Sequence, residues 1–248
     1  MGKKAAQESR TARAAEVLET QRREESRRRR TTISAVVAAL VVIVGLGYLV
    51  STTLDSSGES ALTPGGVDGY VVTVGDDAAP TTLDFYEDPQ CPICQQFESE
   101  IGDDVAAAVE AGEVKVDYHV VSFLDDASQN QWSSRAANAL MVVQDLAGPE
   151  AFVAMHDLLY DNQPTEGTAG PSDAQLVAWA VEAGAPEAAA RQGIESGRFD
   201  QFVVNATDQM SKDGVNGTPT VFVDGEKVDG TPADSVAAVR KALGGSGS

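Results

Sequence analysis

The two cysteines of this 248-residue chain, Cys91 and Cys94, are separated only by a proline and an isoleucine. Where such a spacing opens a helix, the first cysteine is the N-cap and the second is the third helical residue, so both sulfurs lie on one turn. The amide groups and dipole of that turn favour a thiolate, and such settings lower a cysteine pKa from about 8.5 to between ~3.5 and 7.5. We therefore predict a redox-active disulfide, in which Cys91 is the exposed attacking sulfur and Cys94 is the resolving partner.

Two other uses of the cysteine pair stay open from the residues alone. A purely structural disulfide would close a very short loop, which restrains the unfolded chain only weakly. A metal site would need His119 and His156 as further ligands, and their spacing matches no zinc-finger pattern. We expect both histidines to be ordinary packed or surface residues, and we predict no metal and no cofactor besides the disulfide.

A second motif, Gly217-Thr218-Pro219-Thr220, stands just before a β-branched run. Proline is unusual at the start of a central strand because it lacks the N–H that the ladder needs. A trans proline that begins the strand would explain the motif, and so would a cis Thr218–Pro219 bond, which with the cysteine motif upstream is our prediction. Beside the cysteines, such a loop would present backbone groups to an extended substrate peptide.

Residue patterns predict the elements that would position both motifs. We predict strands at Tyr70–Val74, Thr81–Glu87, Val114–Phe123, Thr220–Val223 and Glu226–Val228, and helices from Cys91 to about Ala111 and from about Pro232 to Leu243. Residues 127–212 carry almost only helix signals, with a break at Gly148-Pro149 and a capping box that starts at Ser172. The predicted order is β-β-α-β, a helical insertion, then β-β-α, which is an α/β fold.

An uncharged segment, Ile33–Val50, precedes this domain. A helix of about 18 residues spans about 27 Å, close to the hydrocarbon thickness of a bilayer. Arg27–Arg30 lie immediately before it, so the positive-inside rule predicts a cytoplasmic N-terminus and an extracytoplasmic domain. A cleaved signal peptide and a twin-arginine signal are the alternatives to this single-pass anchor.

The chain has a formal net charge of −20, and its acidic residues are concentrated beyond the apolar segment. A domain this acidic repels phosphates, which excludes nucleic acid as an expected partner. Two cysteines are too few for a cystine-stapled small domain, so the fold must rest on its apolar core. We predict the following organisation: 1–30 basic cytoplasmic segment, 31–50 transmembrane anchor, 51–69 flexible linker, 70–126 first part of the domain, 127–212 helical insertion, 213–243 second part, and 244–248 disordered tail.

Residues Phe85–Cys94, FYEDPQCPIC, resemble the strand-to-helix active site of the DsbA-like thiol–disulfide oxidoreductases. That family has an aromatic strand end, an acidic residue three positions before the first cysteine, which is Asp88 here, and then C-P-x-C. Thr218-Pro219 resembles its cis-proline loop, and the Ala- and Arg-rich, Lys-poor composition is typical of a bacterial, actinobacterial-type member. The resemblance covers roughly residues 70–243.

The resemblance implies a thioredoxin-like fold with an inserted helical domain and Cys91 as the nucleophile. It also implies thiol-bearing exported proteins as substrates, and reoxidation by a membrane quinone-linked partner of the DsbB or vitamin K epoxide reductase type. Ile93 departs from the strongly oxidising members, which often have histidine there. This leaves the direction of electron flow open between an oxidase and a reductase or isomerase, and a redox-inactive tethered module is the third hypothesis.

Three acidic residues, Asp84, Glu87 and Asp88, precede the cysteines. Their negative charge would raise the pKa of Cys91 if they lie close to it. We consider each a candidate proton relay for Cys94, with solvated surface carboxylates as the alternative interpretation.

Overall fold

The structure of the chain is a computed structural model, which describes residue 58 and residues 60–245. The strands are β1 (Val72–Val74), β2 (Thr81–Glu87), β3 (Val114–Val120), β4 (Thr220–Val223) and β5 (Glu226–Lys227). The helices are α1 (Pro92–Glu110), α2 (Trp132–Asp161), α3 (Asp173–Glu182), α4 (Glu187–Glu195), α5 (Asp200–Lys212) and α6 (Pro232–Gly245), and Asp125–Ala127 forms a 3₁₀ turn. This is the predicted order of elements, and the strand ends differ from the prediction by a few residues.

The five strands form one sheet in the order β1-β3-β2-β4-β5. Strands β2 and β3 are parallel and are joined through α1, whereas the other neighbouring pairs are antiparallel. Strand β1 lies at one edge of the sheet. Strand β2, which leads into the cysteines, is central and pairs with β3 on one side and β4 on the other.

Helix α1 covers one face of the sheet because its apolar residues recur at helical spacing. Phe97, Ile101 and Val105 are buried on this helix, and the Phe97 ring packs edge-on against Phe85 of β2 with centroids 5.2 Å apart. Helix α6 lies beside it, and Arg240 donates a hydrogen bond to the Glu100 carbonyl oxygen at 2.8 Å. Each buried aromatic side chain contributes several kcal/mol of stability. This packing fixes the position of α1 on the sheet.

The helical insertion is built around α2, whose buried residues include Trp132, Phe152 and Leu159. The predicted break at Gly148-Pro149 is a kink: Gly148 has φ 81° and ψ −172°, and the helix continues on both sides of it. The predicted cap at Ser172 is present, since its side chain accepts a hydrogen bond from the Gln175 amide at 3.4 Å.

Part of the predicted flexible linker is packed, which corrects the boundary at residue 69. Ala61 and Val67 pack against the core, and Pro64 is buried. The Gly65 amide donates to the Asp145 carboxylate at 2.9 Å, and the Gln144 side chain donates to the Gly65 carbonyl at 3.2 Å. The ordered domain therefore begins before Tyr70, because Ala61 and Val67 pack against the core and Gly65 forms hydrogen bonds with side chains of α2.

The predicted tail also begins later than expected, since α6 includes Gly244 and Gly245. None of the helices between residues 58 and 245 is both long enough and apolar enough to cross a membrane. The predicted anchor, Ile33–Val50, lies outside the described residues.

Candidate active site

Strand β2 and helix α1 place the two cysteines at the helix start. Cys91 is the N-cap with extended backbone angles, φ −73° and ψ 115°, and Pro92 follows in the first turn. The Cys91 amide donates to the Asp88 carbonyl at 2.9 Å, and the Cys91 carbonyl accepts from the Gln95 amide at 3.2 Å. Both thiols are free, so the arrangement is that of the reduced pair.

The surroundings of the Cys91 sulfur favour its ionised, thiolate form. Its pKa is lowered from 9.0 to about 6, mainly by the hydrogen bond that the Cys94 thiol donates. Burial acts in the opposite direction, while hydrogen bonds from the Thr218 side chain and from the Cys94 and Ile93 amides lower the pKa further. The predicted contribution of the helix amides is therefore present, but the neighbouring thiol contributes more.

The surroundings of the Cys94 sulfur favour its protonated, thiol form. Its pKa is raised well above 9.0, first by burial, then by its hydrogen bond to Cys91 and by the negative charge of Glu87. At neutral pH the pair therefore consists of a Cys91 thiolate and a Cys94 thiol. This asymmetry matches the predicted roles of attacking and resolving sulfur.

The prediction that Cys91 is exposed is wrong. Cys91 is 4% exposed, and it packs with Cys94, Tyr160 and Leu124. Ile93, between the two cysteines, is 43% exposed. Packing from the insertion and from the loop after β3 covers the cysteine, and neither segment is close to it in the sequence.

The predicted cis peptide bond between Thr218 and Pro219 is present. The Thr218 carbonyl oxygen lies 3.3 Å from the Cys91 sulfur, which donates to it when it is a thiol. The fold thus brings the second motif against the first, although they are far apart in the sequence.

The three acidic residues lie in three different settings, because side chains alternate along a strand. Asp84 lies on the sheet face opposite Cys94, where a carboxylate oxygen is 3.4 Å from Nε2 of His119. Glu87 lies on the Cys94 face and is 2% exposed. None of the three is a solvated surface carboxylate, and only Glu87 lies both on the Cys94 face and among the charges that raise the pKa of Cys94.

Asp88 joins three segments through its carboxylate. It accepts hydrogen bonds from the Gln90 amide at 2.8 Å, the Leu124 amide at 2.7 Å and the Ser133 hydroxyl at 2.6 Å. Burial raises the pKa of Asp88 to about 6, although these bonds act to lower it. Asp88 therefore links the cysteine turn, the loop after β3 and the start of α2 through hydrogen bonds.

Sequence reasoning missed Glu98, and it treated His156 as ordinary. Glu98 is four residues after Cys94 on α1, so it lies on the same helical face, and that spacing is the signal that would have found it. His156 comes from α2 and is 2% exposed, with Nε2 3.0 Å from a Glu87 oxygen. Among the described residues, Glu87, Glu98 and His156 form a group whose ligand atoms lie within 4.8 Å of one another.

The four-ligand metal site considered from the sequence does not assemble. His119 contacts Asp84 on the far face of the sheet, and His156 contacts Glu87. No group of three or more close ligand atoms in the described part of the chain includes either cysteine.

Comparisons with known proteins agree with this geometry. A family model described as thioredoxin matches residues 68–243. Two solved structures from Mycobacterium tuberculosis are similar: the reduced form of the disulfide bond oxidoreductase DsbG, with 34% identity, a TM-score of 0.61 and coverage of 72% of this chain and 90% of that one, and reduced DsbA, with 32% identity, a TM-score of 0.60 and coverage of 72% and 98%.

A curated relative, the serine/threonine-protein kinase PknE of Mycobacterium tuberculosis, is 33% identical over 164 residues, which is 63% of this chain. The chain spans only 29% of the length of that kinase. With the family model matched over residues 68–243 and both cysteines in the expected turn, the chain belongs to the thioredoxin family, as a DsbA-like thiol–disulfide oxidoreductase.

Proposed function

We propose that the Cys91–Cys94 pair oxidises cysteine pairs of exported proteins. The observation that carries this proposal is the opposite setting of the two sulfurs, with the pKa of Cys91 lowered to about 6 and that of Cys94 raised. A stabilised Cys91 thiolate is a good leaving group, so a disulfide that contains it is readily transferred.

The reaction proceeds in two exchanges. A substrate thiolate attacks the Cys91 sulfur, the Cys91–Cys94 bond breaks, and Cys94 leaves with the electron pair and becomes a thiol. The second substrate thiolate then attacks the substrate sulfur of the mixed disulfide, which releases the Cys91 thiolate and the oxidised substrate. The loop at Thr218 and Pro219, beside the Cys91 sulfur, holds the main chain of the extended substrate.

The size of the pKa shift favours oxidation of substrates over their reduction. At pH 7 a fall in the pKa of Cys91 from 9.0 to about 6 stabilises the reduced pair about tenfold, or about 30 mV. Ile93 supplies no side-chain hydrogen bond to the thiolate, so this gain comes from Cys94, Thr218 and the helix amides. A redox-inactive binding module would not need such a thiolate.

The cellular setting follows from the sequence. Ile33–Val50 anchors the chain in the membrane with its N-terminus in the cytoplasm, and the domain from about residue 60 onward works outside. Oxidised pairs persist in that compartment, and a membrane quinone-linked partner of the DsbB or vitamin K epoxide reductase type restores the Cys91–Cys94 disulfide. Its substrates are exported proteins that have not yet formed their disulfides.

The test is the equilibrium of the full chain, in detergent, with a glutathione redox buffer. We expect a reduction potential less negative than about −220 mV, above the range of reducing glutathione pools. The protein should also form disulfides in a reduced, unfolded test protein. A potential far below that range would assign the pair to reduction instead.

Two variants separate the sulfurs. Cys91→Ser should abolish turnover, because it removes the attacking and exchanging sulfur. Cys94→Ser should also lose oxidation of substrates, because it cannot form the Cys91–Cys94 disulfide. Its Cys91 thiolate should still attack a disulfide-bonded substrate and accumulate as a mixed disulfide, because no Cys94 is present to resolve it. Full oxidation activity of Cys91→Ser would contradict the assignment.

A further inference from the structure

The segment that leads from α5 to β4 contains a dipeptide, Asn216-Gly217, that the proposed function does not use. It lies directly before Thr218, whose carbonyl oxygen is 3.3 Å from the Cys91 sulfur. Of the five asparagines in the sequence, only Asn216 is followed by glycine. An asparagine before a glycine is open to a spontaneous reaction, because the next peptide nitrogen approaches the side-chain carbonyl carbon without a Cβ in the way.

The surroundings of Asn216 leave its side chain accessible. Asn216 is exposed and lies outside the helices and strands. Its side-chain amide donates to the Gly214 carbonyl oxygen at 3.2 Å, which is the one hydrogen bond of this side chain among the described residues. That bond engages the nitrogen only, so the side-chain carbonyl carbon is open to the next peptide and to water.

The backbone amide of Gly217 is the group that would attack. Within residues 58 and 60–245 this amide donates to no acceptor, whereas amides inside helices and strands are held by their hydrogen bonds. The Gly217 carbonyl oxygen does accept a hydrogen bond, from the Thr220 hydroxyl at 2.8 Å. A Cβ at Gly217 would meet no atom within 4 Å, so the space around this peptide permits the rotation that the attack requires.

The other four asparagines of the chain lack this combination. Asn138 and Asn205 are buried on helices. The side chain of Asn130 is held by two hydrogen bonds with the backbone of one residue. Asn162 is exposed, but a glutamine follows it. Exposure, an unpaired amide and a following glycine therefore coincide at Asn216.

We propose that Asn216 is a site of spontaneous deamidation, and that its conversion displaces the loop at Thr218 and Pro219 and lowers oxidation activity as the protein ages. The Gly217 nitrogen attacks the side-chain carbonyl carbon of Asn216, a C–N bond forms, and the side-chain nitrogen leaves as ammonia with the proton from the Gly217 amide. Water then opens the cyclic imide at one of its two carbonyl groups and yields aspartate or isoaspartate. The reaction transfers no electrons, so it needs neither an oxidant nor a reductant.

Either product changes the surroundings of Thr218. Both add a negative charge two residues before it, and isoaspartate also inserts one carbon–carbon bond of about 1.5 Å into the main chain. Thr218 contacts the Cys91 sulfur through its carbonyl oxygen and its side chain. Because a displacement of about 1 Å at a reacting centre can cost about 10²-fold in rate, the isoaspartyl form should oxidise substrates more slowly by about that factor. The loss of activity rests on the proposed function, whereas the modification does not.

The first experiment follows residue 216 by peptide mass spectrometry while the full chain is incubated in detergent at mildly alkaline pH. The peptide that contains Asn216 should gain the mass difference between an OH and an NH₂ group, and it should become a substrate for an isoaspartyl methyltransferase. Asn162 in the same digest is the internal control and should stay unmodified. Gly217→Ala should suppress the change, because its methyl group hinders the attack, and the open space at this position accommodates the methyl group.

The second experiment compares the substrate-oxidation rate of each incubated sample with its own starting rate, so the direct effect of a substitution cancels. The wild type should lose activity in proportion to its isoaspartyl fraction, and that fraction, once isolated, should be slower by about 10²-fold. Gly217→Ala and Asn216→Ser, which cannot form the imide readily, should each keep their own starting rate. The midpoint of Cys91 alkylation should also rise above about 6 in the isoaspartyl form, because the Thr218 donor is displaced.

Three results would overturn the proposal. The first is an Asn216 that stays unmodified in the folded chain over a period in which the urea-unfolded chain is deamidated. The second is an isolated isoaspartyl form that oxidises substrates at the wild-type rate. The third is an equal loss of activity in the wild type and in Gly217→Ala. A reduction potential in the reducing range would instead overturn the proposed function, and it would leave the mass change at residue 216 unaffected.

Discussion

At the scale of the residue, Cys91 and Cys94 have the same chemistry and lie three positions apart, yet their pKa values move in opposite directions. Cys91 receives donors from Cys94, Thr218 and the first turn of α1. Cys94 is 0% exposed and lies close to the negative charge of Glu87. The division of roles therefore comes from their surroundings, which change the cost of ionising each sulfur.

The rate at which a small alkylating reagent modifies Cys91 should rise with pH with a midpoint near 6. Cys94→Ala should move that midpoint up toward 9.0, because it removes the largest cause of the shift. A depressed pKa also means that the stability which Cys91 adds to the reduced fold is fully present above pH 9.0 and is lost as pH falls through about 6. An unchanged midpoint in Cys94→Ala would refute this account.

At the scale of the element, the end of α2 and the residues after it hold the cysteine turn from the side. The Gln163 side chain donates to the carbonyl oxygens of Pro89 at 2.9 Å and Cys91 at 3.0 Å. Gln95 of α1 donates to the Tyr160 carbonyl at 2.7 Å, and the Tyr160 hydroxyl donates to the Asp88 carbonyl at 3.3 Å. The helical insertion therefore supports the geometry of the active site.

Gln163→Ala removes both hydrogen bonds to the cysteine turn and should destabilise the protein by about 1–3 kcal/mol. The urea midpoint measures this loss, and the rate of Cys91 alkylation should change with it. Gln192→Ala, at an exposed position of α4, is the control and should stay within about 0.5 kcal/mol of the wild type. Equal effects of the two substitutions would mean that Gln163 does not support the turn.

At the scale of the whole molecule, the domain buries several acids and a histidine whose protonated forms are favoured by folding. Asp88 has its pKa raised to about 6, Glu98 well above 4.5, and His156 to about 10. A group with a raised pKa adds stability at pH below its ordinary pKa, and this stability is lost as pH rises through the folded value. All three groups therefore make the folded protein less stable as pH rises.

The oxidised full chain, in which neither thiol titrates, should be more stable at pH 5 than at pH 8. The shift of Asp88 alone, from 3.8 to about 6, corresponds to about 3 kcal/mol in full. About 1.4 kcal/mol of this is lost between pH 5 and pH 8, because pH 5 already lies above the ordinary pKa. Thermal or urea unfolding in detergent measures the difference, and Glu98→Gln should show a smaller fall because one ionising group is gone. Stability that increases steadily from pH 5 to pH 8 would contradict this interpretation.

The cis bond before β4 was predicted only with the distant cysteine motif taken into account, whereas the sequence by itself determined the order of the elements and the cysteine turn at the start of α1. These follow from short-range rules: alternation along strands, helical spacing of apolar residues, and the placement of proline at the first turn. The kink at Gly148-Pro149 and the cap at Ser172 were also predictable, because both depend on neighbouring residues only.

Only the tertiary structure decided which groups surround the two sulfurs. It covered Cys91 with Tyr160 and Leu124, turned Asp84 to the far face of the sheet, and joined Glu98 and His156 to Glu87. Burial and charge at these positions come from segments that meet only when the chain has folded. Since the cost of ionising a group depends on its whole surroundings, the acid–base chemistry of the site is a property of the packed fold.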